Sequence, residues 1–202
     1  MIVVVGLNHE TAPVAVREAL AFPKEGLPEA LLRVREEAGL AEAVILSTCN
    51  RVEVYGRSTD SSVGAVAAFL ARYHSRNLED IAPHLYRLEG EAAVRHAFRV
   101  AASLDSMVMG EPQILGQVKD AYEAAEKAGS LGSVLNALRN RSIASRLSGP
   151  SEARSCSFWI SVSPTFWSTS PRNQLTKPAA PPSAGADWSA CCATAAGTQR
   201  IA

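Results

Sequence analysis

Cys49 stands in the tetrapeptide Thr48-Cys49-Asn50-Arg51, between two strand-like runs, Ala43 to Leu46 and Val52 to Tyr55. A thiol in a polar turn between rigid neighbours can be both exposed and held in place, as a nucleophile requires. Arg51 brings a positive charge that favours the thiolate, the form that attacks carbonyl carbon. The same residues also read as a partly buried turn cysteine with Arg51 in a surface ion pair, and spacing alone leaves both readings open. The other three cysteines, Cys156, Cys191 and Cys192, lie far toward the C-terminus. None has Cys-x-x-Cys spacing, and the histidines make no metal set, so no metal site is expected.

A second polar group interrupts the otherwise apolar stretch from Ser103 to Gln117: Asp105, Ser106, Glu111, Gln113 and Gln117. Buried polar side chains need partners. Gln113 and Gln117 are four apart and share a face if a helix starts at Pro112, so both amides could meet a polar ligand. Helix capping and interhelical hydrogen bonding explain the same pattern. His96 lies within a helical stretch, where it reads either as a proton carrier or as a satisfied structural residue. His9, His74 and His84 have weaker claims.

The elements that must position these residues follow from periodicity. Residues 2–7 are a β-branched run that reads as a buried strand, ending in a polar cluster before Pro13. Val14 to Leu20 and Leu27 to Ala38 have helical spacing, and Gly39 closes the second helix. The run Val52 to Tyr55 alternates as a half-buried strand should. Ser61-Ser62 can cap a helix through Val66, Phe69, Leu70 and Tyr73, and a short strand is expected at His84 to Leu88. The fold class is therefore α+β: a small β-α-β-β-α-β subdomain, a helical subdomain from Glu91, with a helix from Pro112 to Lys127, and the start of a connecting helix near Val134.

The zero net charge hides an asymmetry, since residues 1–138 hold 13 Lys+Arg against 18 Asp+Glu and residues 139–202 hold 7 against 2. An acidic domain lacks the basic surface of a general nucleic-acid binder, so any RNA contact must be local. The N-terminus has no signal-peptide pattern and no apolar run reaches about 18 residues, which predicts a cytoplasmic, non-membrane protein with reduced thiols.

Three separated segments, Gly6 to Val14 (GLNHETAPV), Leu46 to Tyr55 (LSTCNRVEVY) and Ser103 to Lys119 (SLDSMVMGEPQILGQVK), together resemble the N-terminal signatures of the glutamyl-tRNA reductases. The resemblance covers about residues 1–138. It implies a Cys49 nucleophile, a required histidine at His96, and glutamate-recognition contacts at Thr48, Asn50, Arg51, Ser106, Glu111, Pro112, Gln113 and Gln117. It further implies glutamyl-tRNA(Glu) as substrate, a thioester reduced by NADPH to glutamate-1-semialdehyde in porphyrin (tetrapyrrole) biosynthesis, and a family homodimer. The next pathway enzyme, glutamate-1-semialdehyde aminomutase, is an expected partner.

The resemblance stops short of the family's cofactor half. No Gly-x-Gly-x-x-Gly occurs in the 202 residues. After Leu138 the apolar stripe is lost, acids nearly vanish, and Ser, Arg, Pro and Trp accumulate. Residues 139–202 are therefore expected to be an aberrant, irregular or disordered tail without a Rossmann domain, the product of a deletion or a shifted reading frame. On that expectation the family reaction is incomplete in this chain. A non-catalytic glutamyl-tRNA binder and a thiol esterase releasing glutamate are the alternatives.

Overall fold

The computed structural model describes residues 1–58, 63–106 and 113–147, with side chains described to residue 144. Glu111 and Pro112, the Ser61-Ser62 cap, the cysteines 156, 191 and 192, and the expected tail from residue 148 onward lie outside the described residues.

Strand β1 (Ile2–Asn8) leads through a polar turn into helix α1 (Val14–Ala19) and then α2 (Leu27–Ala38). Gly39, at φ 65°, takes the left-handed conformation that ends α2 and turns the chain into β2 (Leu40–Ser47). A tight hairpin joins β2 to β3 (Arg51–Ser58), and α3 (Val63–Tyr73) follows. The chain returns through a short helix, α4 (Leu78–Ile81), and a 3-10 turn over Ala82–His84 before β4 (Tyr86–Glu89). The expected strand at His84 to Leu88 thus begins two residues later, because Pro83 sits in the turn and has no amide hydrogen for a ladder. Helices α5 (Glu91–Ala101), α6 (Gln113–Lys127) and α7 (Ser133–Leu147) complete the described chain.

The four strands form one antiparallel sheet in the order β2-β3-β1-β4, the topology expected of a β-α-β-β-α-β unit. Its register divides the side chains by period two. Val3, Val5, Leu7, Val52 and Val54 point to one face, which α2 and α3 cover. Val4, Gly6, Val44, Leu46, Arg51, Glu53, Tyr55 and Tyr86 point to the other, beneath α5, α6 and α7. Strand β3 was expected to be half-buried; instead both of its faces are covered, and Glu53 is fully buried. The buried apolar residues of the sheet and of the helices that cover it belong to one continuous core.

The chain does not leave its helical path at Leu138. Helix α7 runs to Leu147 although its apolar stripe is weak, since Leu135, Leu138 and Ser142 suffice to seat it and neither Gly nor Pro occurs between Ser133 and Leu147. Its start is held from the sheet: the buried Glu42 carboxylate accepts the amide hydrogens of Val134 (3.2 Å) and Leu135 (2.7 Å). A carboxylate on the first turn satisfies amides that have no intrahelical partner and complements the helix dipole. No helix among the described residues is long and apolar enough to cross a membrane.

Gly6 pairs with Glu53 on one side and with Tyr86 on the other. A Cβ at Gly6 would lie 2.4 Å from the Val52 carbonyl oxygen and 2.9 Å from Glu53 Cγ. The missing side chain is what lets the Glu53 side chain and the Tyr86 phenol meet above β1. Substituting Gly6→Ala is expected to destabilise the domain by about 1–3 kcal/mol through overpacking against backbone, measured as a lowered urea midpoint with an unchanged m-value.

Candidate active site

The β2–β3 hairpin carries Thr48, Cys49 and Asn50 at its tip. The Thr48 amide donates to the Arg51 carbonyl (2.8 Å), and the Thr48 hydroxyl accepts the amides of Asn50 (3.2 Å) and Arg51 (3.1 Å). Thr48 therefore serves as the local clamp of the turn, in the way Ser and Thr hydroxyls mimic backbone turns. Cys49 is exposed and unbridged at the tip.

The hairpin opens on a small cleft lined by Thr48, Cys49, Asn50, Arg51, Ser106, Gln113, Ile114 and Gln117. Seven residues singled out from the sequence thus meet in one place, contributed by the hairpin, the turn after α5 and the first turns of α6. Gln113 and Gln117 share the cleft face of α6, which begins at Gln113. His96 does not line the cleft; it stands behind it on α5.

Arg51 forms the cleft's floor in an unexpected way. Its side chain is 1% exposed, so the ion pair it makes is buried rather than on the surface. One guanidinium nitrogen donates to Glu53 Oε1 at 2.7 Å and the other to the Asp105 carbonyl. Glu53 in turn is the acceptor for four donors: Arg51, the Tyr55 and Tyr86 hydroxyls, and His96 Nε2 at 3.0 Å. Burial would raise the Glu53 pKa, but the His96 hydrogen bond and the Arg51 charge outweigh it and hold the carboxyl down to about 2. Burial and the neighbouring Glu53 charge push both phenols up, so they remain donors. An ionised carboxylate only accepts, which puts a proton on His96 Nε2 and turns Nδ1 toward the Asp105 carboxylate, 3.6 Å away.

Asp105 reaches this position because α5 ends in a left-handed residue. Ser103 has φ 59°; its amide donates to the Val100 carbonyl and that of Leu104 to the Arg99 carbonyl, closing the helix and turning the chain back. The Asp105 carboxylate is then gripped by Arg99 Nε (2.9 Å) and Nη2 (2.6 Å). On the other side of the hairpin, the buried Arg17 of α1 donates to the Cys49 carbonyl (3.2 Å) and the Ala12 carbonyl (2.8 Å).

Glu53, Tyr55, Tyr86 and Arg17 were not among the residues singled out from the sequence. One signal was present. Arg51, Glu53 and Tyr55 are spaced by two and so share a face, and an Arg-x-Glu pair on a strand that proves buried must be an internal ion pair. Tyr86 and Arg17 offered none, since strand pairing and the α1 packing bring them in. Among the described residues no group of three or more His, Cys, Asp or Glu side chains could hold a metal.

Removing the Glu53 charge leaves Arg51 buried without a counter-ion. Glu53→Gln is expected to cost about 3 kcal/mol at neutral pH. Because the folded-state pKa is depressed, this contribution is fully present above the unfolded value of about 4.3 and is lost as pH falls toward 2. The difference in urea stability between wild type and variant should therefore shrink across that window, and a pH-independent difference would contradict it.

Comparison with known proteins agrees with the architecture. Residues 5–146 match the family model described as the N-terminal domain of glutamyl-tRNA(Glu) reductase. The glutamyl-tRNA reductase of Neisseria gonorrhoeae is 54% identical over 136 residues, 66% of this chain and 32% of that protein. That of Moorella thermoacetica is 52% identical over 144 residues, 70% of this chain and 33% of that protein. The solved structure of glutamyl-tRNA reductase from Methanopyrus kandleri superposes with a TM-score of 0.60 at 34% identity, covering 70% of this chain and 32% of that one. The chain spans about a third of the length of the curated relatives it matches. With a sheet of this topology, an exposed cysteine at the hairpin tip and a domain model matched from residue 5 to residue 146, the chain belongs to the glutamyl-tRNA reductase family through that family's N-terminal domain.

Proposed function

We propose that this domain receives the aminoacyl end of glutamyl-tRNA(Glu) in the Cys49 cleft and forms a glutamyl thioester there. The observation that carries the reading is the exposed, unbridged Cys49 at the tip of a clamped hairpin, facing a cleft lined by the amide and hydroxyl side chains of Thr48, Asn50, Ser106, Gln113 and Gln117 together with Arg51 and Ile114. The Cys49 sulfur attacks the ester carbonyl carbon, a C–S bond forms, and the C–O bond to the terminal ribose breaks. The released ribose hydroxyl carries the proton, and the glutamyl group remains on sulfur.

Asn50, Ser106, Gln113 and Gln117 supply donors and acceptors for the amino acid's polar atoms. Arg51 contributes charge at the cleft floor, although its two terminal nitrogens already donate to Glu53 and to the Asp105 carbonyl. That arrangement makes Arg51 a fixed positive charge behind the cleft floor, held in one orientation by both partners. Glu53 holds both Arg51 and His96, so the orientation of each depends on the same carboxylate.

The family's NADPH chemistry supplies hydride to such a thioester. The strand-to-helix turn after β1 does not fit that cofactor: it is closed by Asn8, whose Oδ1 accepts the amides of Glu10 (3.0 Å) and Thr11 (3.1 Å), with no glycine-lined approach for a pyrophosphate. The proposal therefore ends at the thioester and assigns no hydride step to these residues. The family's pathway role, dimer and aminomutase partner belong to the same proposal at the level of the longer relatives.

The test is incubation of the chain with tRNA(Glu) charged with labelled glutamate, with and without NADPH. Label should appear on the protein as an acid-stable, hydroxylamine-labile adduct, and Cys49→Ser should lower its formation by at least 100-fold while leaving tRNA affinity within twofold. Release of free glutamate through Cys49 without a trapped adduct would mark an esterase. Binding without any deacylation would reduce the domain to a tRNA-recognition module, and semialdehyde formed only with NADPH would show a cofactor site outside the described residues.

A further inference from the structure

Arg17 is 93% buried, yet no carboxylate among the described residues lies within ion-pair distance of it. Its hydrogen bonds go instead to two main-chain carbonyls from two different turns. Nε donates to the oxygen of Cys49 and Nη1 to the oxygen of Ala12. Burying a guanidinium without a counter-ion is costly, and packing alone would be served as well by a long apolar side chain. The planar fork of an arginine, with donors diverging at fixed angles, suits the task of tying two carbonyls together; an ammonium group has no such fixed geometry.

Each turn has bonds of its own besides; the one after β1 also meets the 3-10 turn, where His84 Nδ1 lies 2.9 Å from the Thr11 carbonyl oxygen, and the base of the hairpin meets the Asp105 turn through Arg51. The one that leaves β1 is closed by Asn8 with Glu10 and Thr11, and the hairpin by Thr48 with Asn50 and Arg51. Thr48 fixes the ends of the hairpin and reaches the Cys49–Asn50 peptide through the Asn50 amide, while the Cys49 carbonyl oxygen is met by Arg17. The Cys49 carbonyl has Arg17 as its tether, and the orientation of that peptide sets the direction of the Cα–Cβ bond that carries the sulfur.

We infer that Arg17 is a positioning residue for Cys49, tying the hairpin tip to the Asn8–Ala12 turn so that the sulfur is held toward the cleft. The inference rests on the reading of Cys49 as nucleophile. It differs from the role of Glu53, which fixes the cleft's floor from the opposite side of the hairpin.

Two measurements test it. Amide hydrogen exchange over residues 48–51 reads the tether without any reaction. Arg17→Met should speed exchange there by at least tenfold while β1 and β4 keep their wild-type protection, and Arg17→Lys should restore less than half of the effect. Unchanged exchange in the hairpin overturns the inference whatever the chemistry does, whereas loss of protection throughout the sheet assigns Arg17 to general stability and also overturns it.

The second measurement compares two reactions of the Cys49 sulfur. Transfer of glutamate from charged tRNA needs an oriented sulfur, but alkylation by iodoacetamide does not. Arg17→Met should slow glutamyl transfer at least tenfold at saturating tRNA, with tRNA affinity and alkylation rate each within about threefold of wild type. Parallel loss of both reactions would point to charge activation or misfolding, and no loss in either would remove the role. A wild-type chain that forms no adduct would defeat the thioester proposal, while the exchange experiment would still decide the tether.

Discussion

A carboxylate with no exposure to water sits at the centre of this domain, and much of the architecture can be read as its compensation. Glu53 lies mid-strand on the inner face of the sheet, where an isolated charge would be strongly disfavoured. Its oxygens are met by an arginine from its own strand, a tyrosine two residues on, a tyrosine across the sheet and a histidine from the covering helix. Each donor imposes a condition elsewhere. Tyr86 can reach only because Gly6 leaves the intervening position empty, and His96 only because α5 crosses β1 and β4 at that level.

Buried ion pairs rarely add net stability over a well-packed apolar substitute, so the value of this one lies in direction. Arg51 cannot rotate without abandoning Glu53, and the hairpin tip is continuous with Arg51. The Asp105 turn is held by the same guanidinium through its carbonyl and by Arg99 through its carboxylate. Two of the three regions that wall the cleft, the hairpin and the turn after α5, therefore share one electrostatic anchor. Preorganisation of this kind places a reacting group before substrate arrives, and a sulfur displaced by an ångström would forfeit much of the benefit.

A second buried carboxylate, Glu42, shows the same economy at the far end of β2, where it accepts the first amides of α7. Gly132 makes room for it, since a Cβ there would lie 2.4 Å from the Glu42 carboxyl carbon. The direction in which α7 leaves the sheet is thereby set by the sheet itself, and α7 is the last element of the domain matched by the family.

Much of this was legible in the residues. The alternation of strand and helix, the polar hairpin around Cys49 and the i, i+4 glutamines of α6 are local patterns, written in the spacing of side chains along one segment, and the motif resemblance drew on the same information. What no local pattern could show was that β3 is covered on both faces. That depends on the helices from α5 onward folding back over the sheet, and it converts an apparently solvent-facing Glu53 into the most buried charge among the described residues. The persistence of α7 beyond Leu138 was hidden for a related reason, since its stabilising partner, Glu42, is more than 90 residues away. Sequence by itself determined which elements form and where a nucleophilic thiol could stand. Tertiary structure alone decided the pairing of Arg51, Arg17 and His96, because the low dielectric that makes those pairings obligatory exists only once the core has closed.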